Sequence, residues 1–225
     1  MIMSLAALEI SGLNKRFGGV PATRDASLRV MRGERRLIIG PNGAGKTTLF
    51  NLVTGDLAPD SGSVRMFGLD ILNLPTRRRV HLGLARTYQI LTLFVSETFA
   101  QNVALALLGL RATRWNPWSS LCANQALYQM AREMLLRVGL ADSAERIVAP
   151  ASYGDCRRLE LAMARAQNPR VLLLDEPLAG LSQEERQIVR GLLDSIPREV
   201  TIVMIEHDMG HRAGLCRAYQ RTAPW

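Results

Sequence analysis

Short apolar runs alternate with segments of helical periodicity along much of the chain. Leu37–Ile39, Val171–Leu174 and Thr201–Ile205 are apolar or nearly so at every position, and glycine or acidic residues follow each run. Strands that are apolar on both faces are typical of a parallel sheet with helices on each side. Two further strands are predicted nearer the N-terminus, at Leu8–Phe17 and Ala26–Val30. The pattern therefore predicts an α/β fold built around a mostly parallel sheet.

Helices are predicted between these strands. Arg157–Ala166 and Gln183–Ile196 each precede one of the apolar runs, and the region from about 98 to 150 also has helical spacing. Within that region, the three-to-four spacing of apolar residues ends at Gly139. The polar segment Arg111–Ser120, which contains a proline and two tryptophans, is predicted to be a loop.

Composition and cysteine spacing indicate the cellular location that we expect for the protein. The chain has 225 residues, and no run approaches the roughly 18 uncharged apolar residues of a membrane span. Cys122, Cys156 and Cys216 lack the spacing of a disulfide framework or a metal site, and Met1–Leu5 lacks the basic start of a secretion signal. A reducing, cytoplasmic location is therefore expected.

The net charge of +8 raises nucleic acid and anionic membrane surfaces as partners. The basic residues are mostly arginine and are spread along the chain, with one compact run at Arg77–Arg79. No zinc spacing, interleaved aromatic residues or helix-turn-helix pattern accompanies this run. We therefore interpret it as a solvated face and do not expect nucleic acid as a partner.

Residues 40–48 have the pattern of a phosphate-binding loop, between an apolar strand and a helix that ends at Gly55. The backbone N–H groups of such a loop, and the positive end of the helix, bind a polyphosphate. Lys46 is expected to reach the β- and γ-phosphates, and the Thr47 hydroxyl to bind Mg²⁺. The alternative is a glycine-rich turn that matches the sequence pattern without binding a phosphate. The residues predicted to bind the nucleotide are Gly40, Pro41, Asn42, Gly43, Ala44, Gly45, Lys46, Thr47 and Thr48.

Acidic and histidine residues follow the other two apolar strands. Asp175 and Glu176 come at the end of one strand, and His207 follows the other. Because ligands bind at the carboxyl ends of parallel strands, these residues are predicted to meet the phosphate-binding loop over one phosphate group. Asp175 suits Mg²⁺, Glu176 is placed to polarise an attacking water, and His207 to contact the γ-phosphate. The alternatives are a surface carboxylate for Glu176 and a structural histidine for His207.

A second anion site is predicted at the start of the helix Arg157–Ala166. Ser152 and Gly154 place a hydroxyl and a glycine at that helix N-terminus, where an anion is favoured. The phosphate-binding loop already encloses its own phosphates, so this second site predicts a nucleotide held between two subunits.

With these motifs in this order, the sequence closely resembles the ATP-binding subunits of ABC transporters from about Leu8 to Met209. The resemblance implies a P-loop NTPase core with N-terminal antiparallel strands and an inserted helical subdomain at about 98–165, within an ATP-binding domain at 1–209. It implies that Phe17 stacks on adenine, with a half-buried strand residue as the alternative. It also makes Gln89 a contact of Mg²⁺ and water that links to the membrane subunits.

Three segments are most similar to importers of branched-chain amino acids, with urea importers close by. These segments are Leu84–Gln89, Ser152–Gly154 and Ile205–Met209. The resemblance implies an ATPase that uses ATP and Mg²⁺ and lies on the inner face of the cell membrane. Its partners are a second ATP-binding subunit (identical or different), two membrane permeases and, indirectly, a solute-binding protein. The alternatives are a soluble ABC ATPase acting on nucleic acid or ribosomes, and a truncated remnant with little turnover.

The signature segment around Ser152 departs from the family. Ala151 stands where the family usually has leucine, and Asp155 and Cys156 stand where it has glutamine or glutamate and then glutamine. Ala151 is expected to loosen the helix packing, and Asp155 to bring a carboxylate near a polyanion. Hydrolysis is therefore expected to be slower.

The tail after Met209 is the second departure, because the family continues with a short helix, another strand and a hairpin. Residues 210–225 have no β-patterned run and are expected to be an atypical, poorly ordered tail. Synonymous codons can be chosen so that the frame one base later reads D-I-A-L-G-F-A-E-R-I-S-V-L-H-H-G, which the resemblance would place here. We therefore interpret the tail as the product of a frameshift, which the nucleotide sequence of the gene tests.

Overall fold

A computed structural model describes residues 6–89, 91–110 and 125–206, and the backbone alone of residues 218–221. The predicted loop at 111–120 and His207 lie outside these ranges. The chain divides into two compact units. The first comprises residues 1–86, 170–176 and 196–225, and the second comprises residues 87–169 and 177–195.

The predicted α/β fold is confirmed, and each strand and helix predicted within the described residues is present, although the strand predicted at Ala26–Val30 begins six residues earlier, at Val20. The described strands are β1 (Ala6–Phe17), β2 (Val20–Met31), β3 (Arg35–Ile39), β4 (Ser61–Met66), β5 (Leu69–Asp70), β6 (Leu84–Thr87), β7 (Val171–Asp175), β8 (Thr201–Glu206) and β9 (Ala218–Arg221). The described helices are α1 (Lys46–Thr54), α2 (Thr76–His81), α3 (Phe99–Gly109), α4 (Gln125–Arg137), α5 (Tyr153–Ala166) and α6 (Gln183–Asp194), with a 3-10 turn at Ala141–Ser143.

Two sheets form the first unit. One has the strand order β6-β7-β8-β3-β9, and its β3–β8, β7–β8 and β3–β9 pairs are parallel. The other has the order β2-β1-β4-β5 and antiparallel pairs. Buried residues of both sheets and of α1, including Leu8, Phe50, Leu173 and Val203, form one core cluster. This order places β3, β7 and β8 side by side, so that the segments after them emerge at one edge.

Helices build the second unit. Phe99 of α3, Leu127 and Leu135 of α4, and Leu159 of α5 are fully buried in one cluster. A capping box at Thr98 satisfies backbone donors at the start of α3. The inserted helical segment predicted at 98–165 lies within this unit, which also includes the segment from residue 87 and the helix α6.

The prediction that the tail contains no strand was wrong at Ala218–Arg221. These residues form β9 and pair in parallel with β3 along the edge of the five-stranded sheet. The ladder is made of backbone hydrogen bonds, which every residue except proline can both donate and accept. The open edge of β3 favours pairing with any strand that can form these hydrogen bonds. The low apolar content of the tail therefore did not prevent the pairing. The expected poor order of the other tail residues lies outside the described residues.

Arg79 corrects the interpretation of the basic run. Arg77 and Arg78 are exposed, as a solvated face requires, but Arg79 is 2% exposed. The Arg79 guanidinium donates hydrogen bonds of 2.6–2.9 Å to the carbonyl oxygens of Leu52, Val53, Leu72 and Leu74. The first two belong to the last turn of α1, where carbonyl groups lack partners within the helix. Arg79 thus caps the helix that begins in the phosphate-binding loop.

We expect Arg79→Met to lower the free energy of unfolding by about 3 kcal/mol, because buried carbonyl groups would lose a charged donor. Urea denaturation followed by circular dichroism measures the change. Arg78→Met is the matched control, and its effect should stay within about 0.5 kcal/mol because Arg78 is a surface residue. Equal losses in the two variants would contradict the capping role.

Candidate functional site

The phosphate-binding loop is a backbone structure that requires glycine. It joins the end of β3 to the start of α1, and Gly43 and Gly45 adopt φ angles of 80° and 70°. A Cβ atom on Gly45 would lie 2.0 Å from the carbonyl oxygen of Ala22 in β2. No other residue fits there without moving the β2 backbone, so the close approach of β2 accounts for the glycine at this position.

Lys46 closes the loop on itself. Its side chain is buried, and Nζ donates to the carbonyl oxygens of Gly40 at 2.5 Å and Pro41 at 2.8 Å. Burial lowers the pKa of the Lys46 ammonium, and the nearby carboxylates of Glu176 and Asp175 act in the opposite direction. An ammonium carries three donors, so these two bonds leave one for a phosphate oxygen.

Asp175 and Glu176 are both buried where β7 ends. Asp175 is 0% exposed and pairs in register with Ile205 of β8. Glu176 is 4% exposed, its N–H donates to the Ile205 carbonyl oxygen at 3.1 Å, and its φ angle is 49°. This conformation costs a non-glycine residue about 1–3 kcal/mol and is characteristic of functional sites. Glu176 is therefore not a surface carboxylate, the alternative left open by the sequence.

Arg86 belongs to this group, although the segment Leu84–Gln89 that contains it gave it no predicted role. Its guanidinium Nη2 donates to Asp175 Oδ2 at 2.8 Å, and its side chain is only 3% exposed. The available signal was an arginine inside the short apolar strand β6, all of whose residues are buried. A buried arginine needs a carboxylate or carbonyl partner, but the strand pattern does not say which one.

The exposed ring of Phe17 lies on the hairpin that contacts the phosphate-binding loop. Phe17 ends β1 and pairs with Val20 at the start of β2, two positions before Ala22. The Phe17 ring is about half exposed, at 50%, and Lys15 Nζ lies 5.9 Å from its centroid. Register therefore places an accessible aromatic face on this hairpin, and its stacking on adenine stays a prediction.

The predicted second anion site lies in the second unit. Ser152 is the N-cap of α5, and its hydroxyl accepts a hydrogen bond from the Asp155 N–H at 3.1 Å. Gly154 is buried, and a Cβ atom there would lie 2.2 Å from Glu185 Oε1. The position thus requires a residue without a side chain as long as Glu185 stays in place.

The carboxylate of Asp155 has a partner of opposite charge. It forms an ion pair with the Arg158 guanidinium, one helical turn later on α5. The sequence predicted that Asp155 brings a carboxylate near a polyanion, and Arg158 supplies the opposite charge beside it. Ala151, expected to loosen the packing, contacts the core of the second unit as a partly buried residue.

Gln89 is held through its backbone in the second unit. Its carbonyl oxygen accepts from Arg157 Nη2 at 2.8 Å, and Arg157 Nη1 donates to the Tyr88 carbonyl at 2.9 Å and to Glu160 at 3.0 Å. The Gln89 residue itself is exposed. Its predicted contacts with Mg²⁺ and water stay predictions.

The first unit thus brings Lys46, Asp175 and Glu176 together, whereas Gln89, Ser152 and Gly154 belong to the second unit.

The residues of the first unit fit Mg-ATP. Among the described residues, no group of three or more histidine, cysteine or acidic side chains could hold a metal ion. Mg²⁺ is usually bound by one or two carboxylates together with substrate phosphates and water. Asp175 and the Thr47 hydroxyl at the start of α1 match that modest protein contribution, and Lys46 supplies the cation for the phosphates.

Comparison with known proteins agrees with this geometry. The family model described as ABC transporter matches residues 23–179. The chain belongs to the ABC transporter family. It is 38% identical over 216 residues to the high-affinity branched-chain amino acid transport ATP-binding protein BraF of Pseudomonas aeruginosa, across 92% of this chain and 84% of BraF.

Other relatives support the same assignment. The corresponding protein LivG of Escherichia coli K12 is 36% identical over 214 residues, across 92% of this chain and 84% of LivG. A solved nucleotide-free ATP-binding cassette from an ABC transporter has a TM-score of 0.85 and 26% identity, across 96% of this chain and 87% of that one. None of the described helices has the length and apolar character needed to cross a membrane.

We expect Lys46→Ala to abolish the stabilisation that Mg-ATP gives this protein. Ligand at about a hundred times its Kd should add roughly 2.7 kcal/mol to the free energy of unfolding, which appears as a higher melting temperature. The sequence contains only one other lysine, Lys15, which pairs with Asp60 at the surface. Lys15→Ala is therefore the matched control and should keep the full rise. An unchanged rise in Lys46→Ala would exclude the loop as the nucleotide site.

Proposed function

We propose that this protein is the ATP-hydrolysing subunit of an importer of branched-chain amino acids. The buried group formed by Lys46, Asp175 and Glu176 in the first unit carries the proposal for ATP hydrolysis. The similarity to BraF and LivG over 92% of the chain supports the class of transported solute.

The residues of the first unit have separate roles in phosphoryl transfer. Backbone N–H groups of the loop and the Lys46 ammonium bind and orient the phosphates, and Thr47 and Asp175 would hold Mg²⁺, which would neutralise charge on the transferred group. Glu176 accepts a proton from the water that attacks the γ-phosphate. The protein thus contributes mainly positioning and charge stabilisation. His207 and Gln89 are proposed to contact the γ-phosphate and the attacking water, respectively.

Two subunits are proposed to share each nucleotide. Ser152 and Gly154 of one subunit bind the phosphates held by the loop of the other, which is a second copy or a related ATP-binding subunit. The pairing of Asp155 with Arg158 supports turnover with this altered signature, because the added carboxylate has a local counter-charge. Two membrane permeases complete the assembly at the inner face of the membrane, and a solute-binding protein delivers the amino acid to them.

We expect Glu176→Gln to keep ATP binding while the hydrolysis rate falls by about 10² or more, the scale of losing a general base. Phosphate release measures hydrolysis, and the melting temperature with Mg-ATP measures binding. The control is Glu199→Gln, which makes the same change at an exposed carboxylate of the first unit. Hydrolysis at the parental rate in Glu176→Gln would show that another group activates the water.

The transported solute is tested in cells. Deleting the gene should abolish high-affinity uptake of labelled leucine, and the parental gene, but not Glu176→Gln, should restore it. Loss of labelled urea uptake with normal leucine uptake would instead assign the protein to a urea importer. Normal uptake of both solutes, with ATPase activity intact, would contradict the proposed import function and favour a soluble ATPase.

A further inference from the structure

Arg86 joins three elements of the first unit through one guanidinium. Besides its bond to Asp175 of β7, Nη1 donates to Asn51 Oδ1 of α1 at 2.6 Å. The guanidinium carbon also lies 5.5 Å from the ring centroid of Phe50. Arg86 itself belongs to β6, the strand beside β7. It therefore fixes Asp175 relative to the helix that leaves the phosphate-binding loop.

The orientation of Asp175 follows from this contact. The carboxylate is fully buried, and Arg86 holds it through Oδ2 in a charge-assisted hydrogen bond of 2.8 Å. Asn51 and Phe50 restrict the guanidinium in turn, so the carboxylate cannot rotate without breaking the Arg86 bond.

The same guanidinium also supplies charge. A second carboxylate, Asp56, lies 3.6 Å from Arg86 Nη1 and is partly exposed. Arg86 therefore shares its charge between two acids, while Asp175 lies in a buried setting where Coulomb interactions are strong. A cation that binds Asp175 has to compete with, and is repelled by, this fixed positive group.

We propose that Arg86 is a positioning residue that holds the Asp175 carboxylate through one oxygen and weakens its attraction for the magnesium ion of Mg-ATP. The inference rests on the proposed function, because it assigns Asp175 to that ion. It gives Arg86 two separable effects: its fork orients the acid, and its charge sets the concentration of Mg²⁺ that the site requires.

The test is a Mg²⁺ titration at fixed ATP concentration, with melting temperature as the readout. Arg86→Leu removes the charge, and the Mg²⁺ concentration at the midpoint should fall about tenfold because the repulsion is lost. Arg86→Lys keeps the charge without the fork, and its midpoint should stay within about twofold of the parent. A merely structural arginine would lower the melting temperature of both variants and leave both midpoints unchanged.

A second variant covers the case in which Arg86→Leu does not fold. Asn51→Asp draws the guanidinium away from Asp175 and should lower the midpoint about threefold. An unchanged midpoint in Arg86→Leu, or in Asn51→Asp where the former does not fold, overturns the inference. A parent protein without any Mg²⁺-dependent rise would instead refute the proposed function, so the two failures are distinguishable.

Discussion

The burial of the Asp175 carboxylate is the constraint on which the first unit depends. A charged group removed from water is costly unless cations and hydrogen bonds surround it. Arg86 and Lys46 are the buried cations nearby, and each is fixed by a separate anchor, Asn51 of α1 for the first and loop carbonyl groups for the second. Satisfying one acid therefore holds β6, β7, α1 and the loop in a single arrangement.

The two ends of this arrangement are also the points at which the chain leaves the first unit. The second unit begins directly after Arg86 and again directly after Glu176. Glu176 is held there in a strained backbone conformation by its bond to Ile205. Asp175 bonds to Arg86 and directly precedes Glu176, so the chain leaves the first unit both times beside this buried acid.

Local patterns made much of this structure predictable. The apolar runs predicted the strands β3, β7 and β8. The glycine pattern predicted the phosphate-binding loop, because the backbone conformation of the loop itself requires glycine. Arg79, Arg86 and β9 were missed because their partners are distant in sequence: Asp175 lies 89 residues from Arg86. Arg79 looks identical to its exposed neighbours in the sequence, and only the carbonyl groups at the end of α1 distinguish it. The pairing of β9 depends on an unpaired edge of β3, which the tail sequence does not reveal.

The charge near the start of α5 in the altered signature segment differs from what its sequence indicated. The pair between Asp155 and Arg158 is partly exposed and adds little stability, but it leaves the start of α5 without excess negative charge from Asp155. The acid that matters is Glu185, which lies against Gly154. The backbone N–H of Ser182 holds the pKa of the Glu185 carboxyl below its usual value, so this acid is ionised at neutral pH. Within the proposed two-subunit site, a phosphate directed at Gly154 therefore meets the charge of Glu185, a residue that lies outside the signature motif altogether.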